Sequence, residues 1–223
     1  MKSQIILITG SSSGIGRETA YRFSREGWRV ILTYYKGKRR GEAAQRKCRA
    51  LGAGETLLLH LDVMDDRSIA AAAAKVARAF GKVDVLVNNA GVAAIRVFRK
   101  QTRHDIDRQV RTNFLGLMKM THAFLPRVRK GIINIASAAG EEAYAEMSTY
   151  CGTKFGVRGF TQGLAQEHTG LRIGCVNPDQ TATRLADYVG RPPSEVAEVV
   201  YRTVTGKAKM SRTYDVDVWD VIP

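Results

Sequence analysis

The chain is 223 residues long, 44% hydrophobic and 25% charged, with 35 Lys+Arg against 21 Asp+Glu and a formal net charge of +14. That length suits one domain with a core large enough to need no disulfide or metal staples. The positive balance favours anionic partners and is silent on fold, but the cations are scattered from Arg17 to Arg212, which argues against a dedicated nucleic-acid arm.

Short runs rich in Val and Ile alternate with helical patterns along the chain. QIILIT (4–9) reads as a strand and leads through a glycine loop into a helix over 15–26, closed by Gly27. RVILTY (29–34) precedes a helix over 41–51, and ETLLLHLDV (55–63) precedes an alanine-rich helix over 67–80. VDVLVNNA (83–90) is followed by a long helix over 105–129, and GIINIAS (131–137) by one over 148–169. RIGCVNP (172–178), a last helix starting near Ser194 and an edge-strand alternation in YDVDVWDVIP complete the pattern. The runs are apolar on both faces, as strands of a parallel sheet covered on each side must be. This rhythm predicts an α/β fold, a doubly wound Rossmann-type parallel sheet of about seven strands with helices on both faces, in a single domain over 1–223.

Three cysteines (Cys48, Cys151, Cys175) without CxxC spacing imply no disulfide framework and fit a reducing compartment. The four histidines lack ligand spacing, so no metal is expected. The early apolar run IILI is far too short for a signal peptide or membrane span, and a cytoplasmic protein is expected.

Three stretches carry chemistry. The first strand runs directly into TGSSSGIGRE (9–18), where Gly10, Gly14 and Gly16 let backbone approach a pyrophosphate at a helix N-terminus. The spacing is GxxxGxG, and a tight strand-helix turn needs glycines too; its place at the first strand-helix junction favours a dinucleotide. In such a fold the end of the second strand meets the adenosine ribose, where an NAD site would carry Asp or Glu. Here TYYKGKRRGE follows instead, with no carboxylate until Glu42. Alone the basic run suits a polyanion patch, a solvated loop or a phosphate pocket. Its position favours a 2′-phosphate reader, Lys36 first and Arg39 second, with Tyr34 against ribose or adenine and Arg40 solvated. In the third stretch, STYCGTKF, Tyr150 and Lys154 are four apart on one helix face. A neighbouring ammonium is expected to draw a phenol towards the operating range. Ser137 ends a strand where parallel sheets bind ligands, and its hydroxyl suits a substrate carbonyl.

Together with LDV (61–63), NNAG (88–91), TNFLG (112–116) and NIAS (134–137), these motifs resemble the short-chain dehydrogenase/reductase family from residue 4 to about 183. The resemblance implies an NADPH-dependent reductase of ketones or aldehydes, with NADPH/NADP as cofactor and a small-molecule carbonyl or alcohol as substrate. It implies that Gly10, Ser12, Ser13, Gly14, Ile15 and Gly16 wrap the cofactor phosphates. Asp62 and Val63 would meet the adenine, Asn89, Ala90 and Gly91 the adenosine ribose, and Pro178, Thr181 and Thr183 the nicotinamide end. Tyr150 would be the general acid/base, Lys154 would hold the nicotinamide ribose and lower the Tyr150 pKa, Ser137 would steady the substrate oxygen, and Asn113 would anchor a relay water. No membrane and no dedicated nucleic acid are expected as partners. A homodimer or homotetramer is expected, the 105–129 and 148–169 helices being able to pair two subunits.

The chain departs from the family at NPDQTAT (177–183), where Asp179 replaces a glycine near the nicotinamide; pointing inward, it would weaken NADPH. The segment from about 184 to 194 is short for a substrate lid, which predicts an open site. Two other readings compete: a non-catalytic dinucleotide-binding scaffold of the same fold, and nucleic-acid binding by the basic surface.

Overall fold

The computed structural model describes residues 4–222. The ends of the expected domain, 1–3 and 223, lie outside the described residues. Seven parallel strands, β1 (Ile5–Ile8), β2 (Arg29–Tyr34), β3 (Thr56–His60), β4 (Val83–Asn88), β5 (Val128–Ile135), β6 (Arg172–Asn177) and β7 (Asp215–Asp217), form one sheet in the order β3-β2-β1-β4-β5-β6-β7. The order reverses between β1 and β4, the place where doubly wound sheets open a ligand crevice at the strand C-termini.

Strand alternation builds two cores, one on each face. Ile6, Ile8, Val30 and Leu32 pack against α1 (Gly14–Ser24), α2 (Lys38–Ala50) and α7 (Pro193–Val204). Ile5, Leu7 and Ile31 pack against α3 (Asp66–Phe80), α5 (Gly116–Phe124) and α6 (Ser148–Glu167). Every residue of β1 and β4 is buried, including Asp84, whose carboxylate accepts the Ile5 N–H at 2.8 Å.

Several boundaries differ from expectation. The 105–129 helix is instead α4 (Arg103–Val110), a π-helical turn (Arg111–Leu115) and α5, after which Pro126 tightens the chain into a 3-10 turn. Proline removes the N–H that would continue the helix, and β5 begins at once at Val128. The α2 helix starts at Lys38, because Gly37 takes a left-handed conformation as its N-cap. The expected edge strand over 214–223 is three residues long and turns into the short helix α8 (Val218–Val221).

Charge is distributed unevenly about this frame. The edge where strands begin and helices end exposes Arg25, Arg49, Lys82, Arg129, Lys130 and Lys207, and its exposed carboxylates among the described residues are Glu26, Glu55 and Glu167. Basic side chains suit helix C-termini electrostatically. The opposite edge mixes the cations Lys36, Lys38, Arg39, Arg40, Arg96, Arg99 and Lys100 with Asp65, Asp66, Glu141, Glu142 and Glu146.

Candidate active site

At the C-terminal end of β1 the chain turns with Gly10 at φ 67° and Gly14 at φ 57°, conformations that side chains resist. A Cβ on Gly16 would collide with the Asn89 amide, so the loop and the β4 end are in close contact. The loop is tied down by residues that the sequence did not single out. Gly10 N–H donates to the Thr33 hydroxyl at 2.9 Å, and Thr33 N–H donates to Ser11 Oγ at 2.8 Å. The Thr9 hydroxyl accepts the N–H groups of Asn89 and Ala90, both at 2.9 Å. The Asn89 side chain donates to the Thr9 carbonyl at 2.8 Å, so it braces the glycine loop from across the sheet. Ser13, the N-cap of α1, makes no side-chain cap bond and no acidic residue occupies the first turn. The helix start between Ser12, Ser13 and Ile15 therefore has N–H groups and a positive dipole end to offer an anion. This cradle fits a dinucleotide phosphate.

At the end of β2, Lys36 and Arg39 are exposed and Lys38 lies 3.9 Å from Glu42. Arg40 is exposed on α2, as expected, and also donates to the Lys36 carbonyl at 3.3 Å. Tyr34, expected against ribose or adenine, packs edge-on against His60 at 5.4 Å, and Tyr35 is the exposed ring beside Lys36. At the end of β3, Asp62 accepts the Met64 N–H at 2.9 Å and shapes a turn, while Val63 is buried.

The catalytic candidates converge at the ends of β4, β5 and β6. Asn113 sits in the π turn and clamps the chain after β4, accepting Val92 N–H and donating to Val92 C=O, both at 2.8 Å. It also donates to the Thr153 hydroxyl at 3.2 Å, which ties the turn to α6 between Tyr150 and Lys154. Gly91 lies beside both Asn113 Oδ1 and Lys154 Nζ. Lys154 Nζ donates to the Ile135 carbonyl at 2.8 Å and lies 5.5 Å from the centre of the Tyr150 ring. Ser137 caps a 3-10 turn (Ala138–Gly140), and Ala138 N–H donates to the Pro178 carbonyl at 2.8 Å, joining the ends of β5 and β6.

Burial overturns one expectation here. Tyr150 is pushed up to about 12 by burial, against a lowering contribution from the Ser137 hydroxyl. Lys154 is pushed down to about 8, again by burial. The ammonium was expected to pull the phenol down, but in this pocket the loss of solvent dominates both groups. The phenol is therefore protonated throughout the neutral range. After β6, Thr181 is buried and Thr183 caps a turn at Arg184–Ala186. Asp179 points to Arg191, at 3.0 Å, so it does not present a free carboxylate to the crevice.

A glycine cradle at the sheet's switch point, with a buried Tyr-Lys pair and a serine at the neighbouring strand ends, defines a nicotinamide-dinucleotide-dependent oxidoreductase acting on alcohol or carbonyl groups. The short chain dehydrogenase model matches residues 4–193, and the chain belongs to that family. It is 35% identical to serine 3-dehydrogenase of Rhizobium radiobacter, over 91% of this chain and 82% of that protein. It is 32% identical to acetoacetyl-CoA reductase of Cupriavidus necator, over 93% and 85% respectively. A short chain dehydrogenase from Burkholderia cenocepacia, solved with NADP, superposes with a TM-score of 0.88 at 28% identity, over 96% of this chain and 95% of that one. Among the described residues no helix is long and apolar enough to cross a membrane, and no group of potential metal ligands is found.

Proposed function

We propose that the protein reduces a ketone or aldehyde to an alcohol with NADPH, with Ser137, Tyr150 and Lys154 as its catalytic residues and Asn113 in support. The observation that carries this reading is geometric: the buried Tyr150 ring stands beside Ser137, with Lys154 Nζ 5.5 Å from its centre, at the strand ends. Reduction of a carbonyl needs a proton at the oxygen, and a phenol placed beside that oxygen with a serine and an ammonium around it can supply one. The nicotinamide, when bound, supplies the hydride. Ser137 steadies the substrate oxygen, and Lys154, fixed by the Ile135 carbonyl, holds the nicotinamide ribose and the proton path to Tyr150. The Asn113 side chain is committed to Val92, so the relay water falls to the backbone of the π turn.

Gly10, Ser12, Ser13, Gly14, Ile15 and Gly16 take the phosphates in this reading, and Asp62 and Val63 the adenine. Asn89, Ala90 and Gly91 line the ribose, while Pro178, Thr181 and Thr183 receive the carboxamide. The preference for NADPH rests on Lys36 and Arg39, exposed at the end of β2 and near the uncapped start of α2, with no carboxylate before Glu42. The NADP complex of the Burkholderia relative supports it, and the name of the acetoacetyl-CoA reductase supports the direction. The substrate mouth is open and apolar: Ile95, Phe98, Tyr144, Leu185, Tyr188 and Val189 are exposed on the loops after β4, β5 and β6. This suits bulky, varied carbonyl compounds under the short 184–194 lid of a single domain. Exposed Val110, Leu115 and Phe155 on α4, the π turn and α6 support a homodimer or homotetramer, and three buried free thiols suit a cytoplasmic home.

A panel of ketones and aldehydes with NADPH and NADH tests the reading on three proteins. Wild type should oxidise NADPH in preference to NADH. Tyr150→Phe should lose about 10²–10⁴ of the rate. Lys36→Ala with Arg39→Ala should weaken NADPH far more than NADH. Normal turnover by Tyr150→Phe would remove the proposed acid, and equal weakening of both cofactors would reduce the basic run to a charged loop. A wild type inactive on the whole panel would favour the scaffold reading.

A further inference from the structure

Between β6 and α7 the chain makes a loop closed at its neck. Arg191 N–H donates to the Gln180 carbonyl and Ala182 N–H to the Arg191 carbonyl, both at 2.8 Å, around a parallel bridge between Thr181 and Arg191. Gly190, at φ 110°, leaves no room for a side chain against the Gln180 carbonyl, so the neck is built for glycine. Across it lies one guanidinium. Arg191 Nε reaches Asp179 Oδ1 at 3.0 Å and Nη2 reaches Oδ2 at 3.2 Å. Its Nη1 donates to Glu195 Oε2 at 2.8 Å and to the Ile222 carbonyl at 2.7 Å. One side chain thus joins the exit of β6, the first turn of α7 and the chain beyond α8. Its bidentate contact with Asp179 fixes the guanidinium in one orientation.

The neck sets where two threonines stand. The Thr181 hydroxyl donates to the Asp179 carbonyl at 2.9 Å. The Thr183 methyl lies 3.3 Å from where a side chain on Gly14 would begin, so the loop after β6 touches the glycine loop after β1. Beyond the neck the tip is exposed, with Asp187 and Tyr188 both at positive φ.

We propose that Asp179 and Arg191 form a clasp that holds Thr181 and Thr183 in position over the dinucleotide crevice before any ligand arrives, with Arg191 as the positioning residue. This rests on the assignment of those threonines to the nicotinamide end. A charge that replaces glycine at 179 is thereby converted from a threat to the cofactor into half of its support. Ordering the loop in advance removes a cost that binding would otherwise bear.

The test compares NADPH with 2′-phospho-ADP-ribose, which lacks the nicotinamide, by fluorescence and calorimetric titration of the ligand-free protein. Arg191→Met should weaken NADPH about tenfold and leave the fragment unchanged. Asp179→Asn, a milder lesion, should fall between and carries the test if the arginine variant does not fold. Chymotrypsin should cut the ligand-free variants faster at Leu185 or Tyr188 than it cuts wild type. Equal weakening of NADPH and fragment, or no change in affinity and cleavage, overturns the clasp. If wild type prefers NADH, the 2′-phosphate reading falls by itself, and the ratio of NADH to ADP-ribose then decides the clasp by the same criterion.

Discussion

Lys154 shows how burial and charge compete at a single side chain. Its folded-state pKa of about 8 lies below the ordinary 10.5, so between those values the unfolded chain binds more protons than the native one. Native stability attributable to this group therefore rises with pH through that window, and below it the buried ammonium costs its full desolvation. Urea midpoints at pH 7.5 and 9.5 check this. Wild type should gain stability relative to Lys154→Met as pH rises, and parallel curves would count against the shift. The sequence placed Lys154 and Tyr150 on one helix face correctly, because spacing decides that. It predicted the wrong direction for the phenol, because Tyr150 is packed against Ala139 and Ala93, from the chain after β5 and after β4, which the local spacing does not reveal.

Among the elements, the break between α4 and α5 coincides with a side-chain clamp. The Asn113 amide satisfies both backbone groups of Val92, and the helix widens by one π turn at that residue. Asn113→Ala would leave the partly buried Val92 N–H and C=O without those partners, at a cost of about 0.5–1.5 kcal/mol for each hydrogen bond lost. Thermal unfolding of the ligand-free protein should show a clear fall in Tm, with the far-UV spectrum largely kept; an unchanged Tm would mean the clamp is dispensable. The pattern over 105–129 read as one helix because its apolar period continues across the turn, and the residue that Asn113 clamps at that turn is 21 positions away. Pro126, by contrast, was visible in the sequence and marks where that helix should have been ended. The early start of α2 turns on the left-handed Gly37, and the union of Asp179 with Arg191 crosses a loop whose path no periodicity encodes. What was legible were the strands and the motif residues, since unbroken apolar runs and glycine turns are properties of the local chain.

In the molecule as a whole, the crevice lies at the opposite end of the sheet from an edge whose exposed basic side chains have few carboxylates among them. Arg25, Arg49, Lys82, Arg129, Lys130 and Lys207 stand at the strand starts, while the glycine loop, Tyr150 and the clasp stand at the strand ends. The separation predicts an electric moment roughly along the strands. Against a sulfonate-coated bead at low ionic strength, the molecule should settle on its strand-start edge, with the substrate mouth facing the liquid. Enzyme held this way should keep most of its activity per bound molecule, and enzyme coupled at random through lysines should keep less. Salt near 1 M, where the Debye length is about 3 Å, should release it. Equal activity in the two preparations would show that the moment does not orient the molecule. The formal +14, uninformative about fold, thus becomes a handle by which the enzyme can be mounted facing outward.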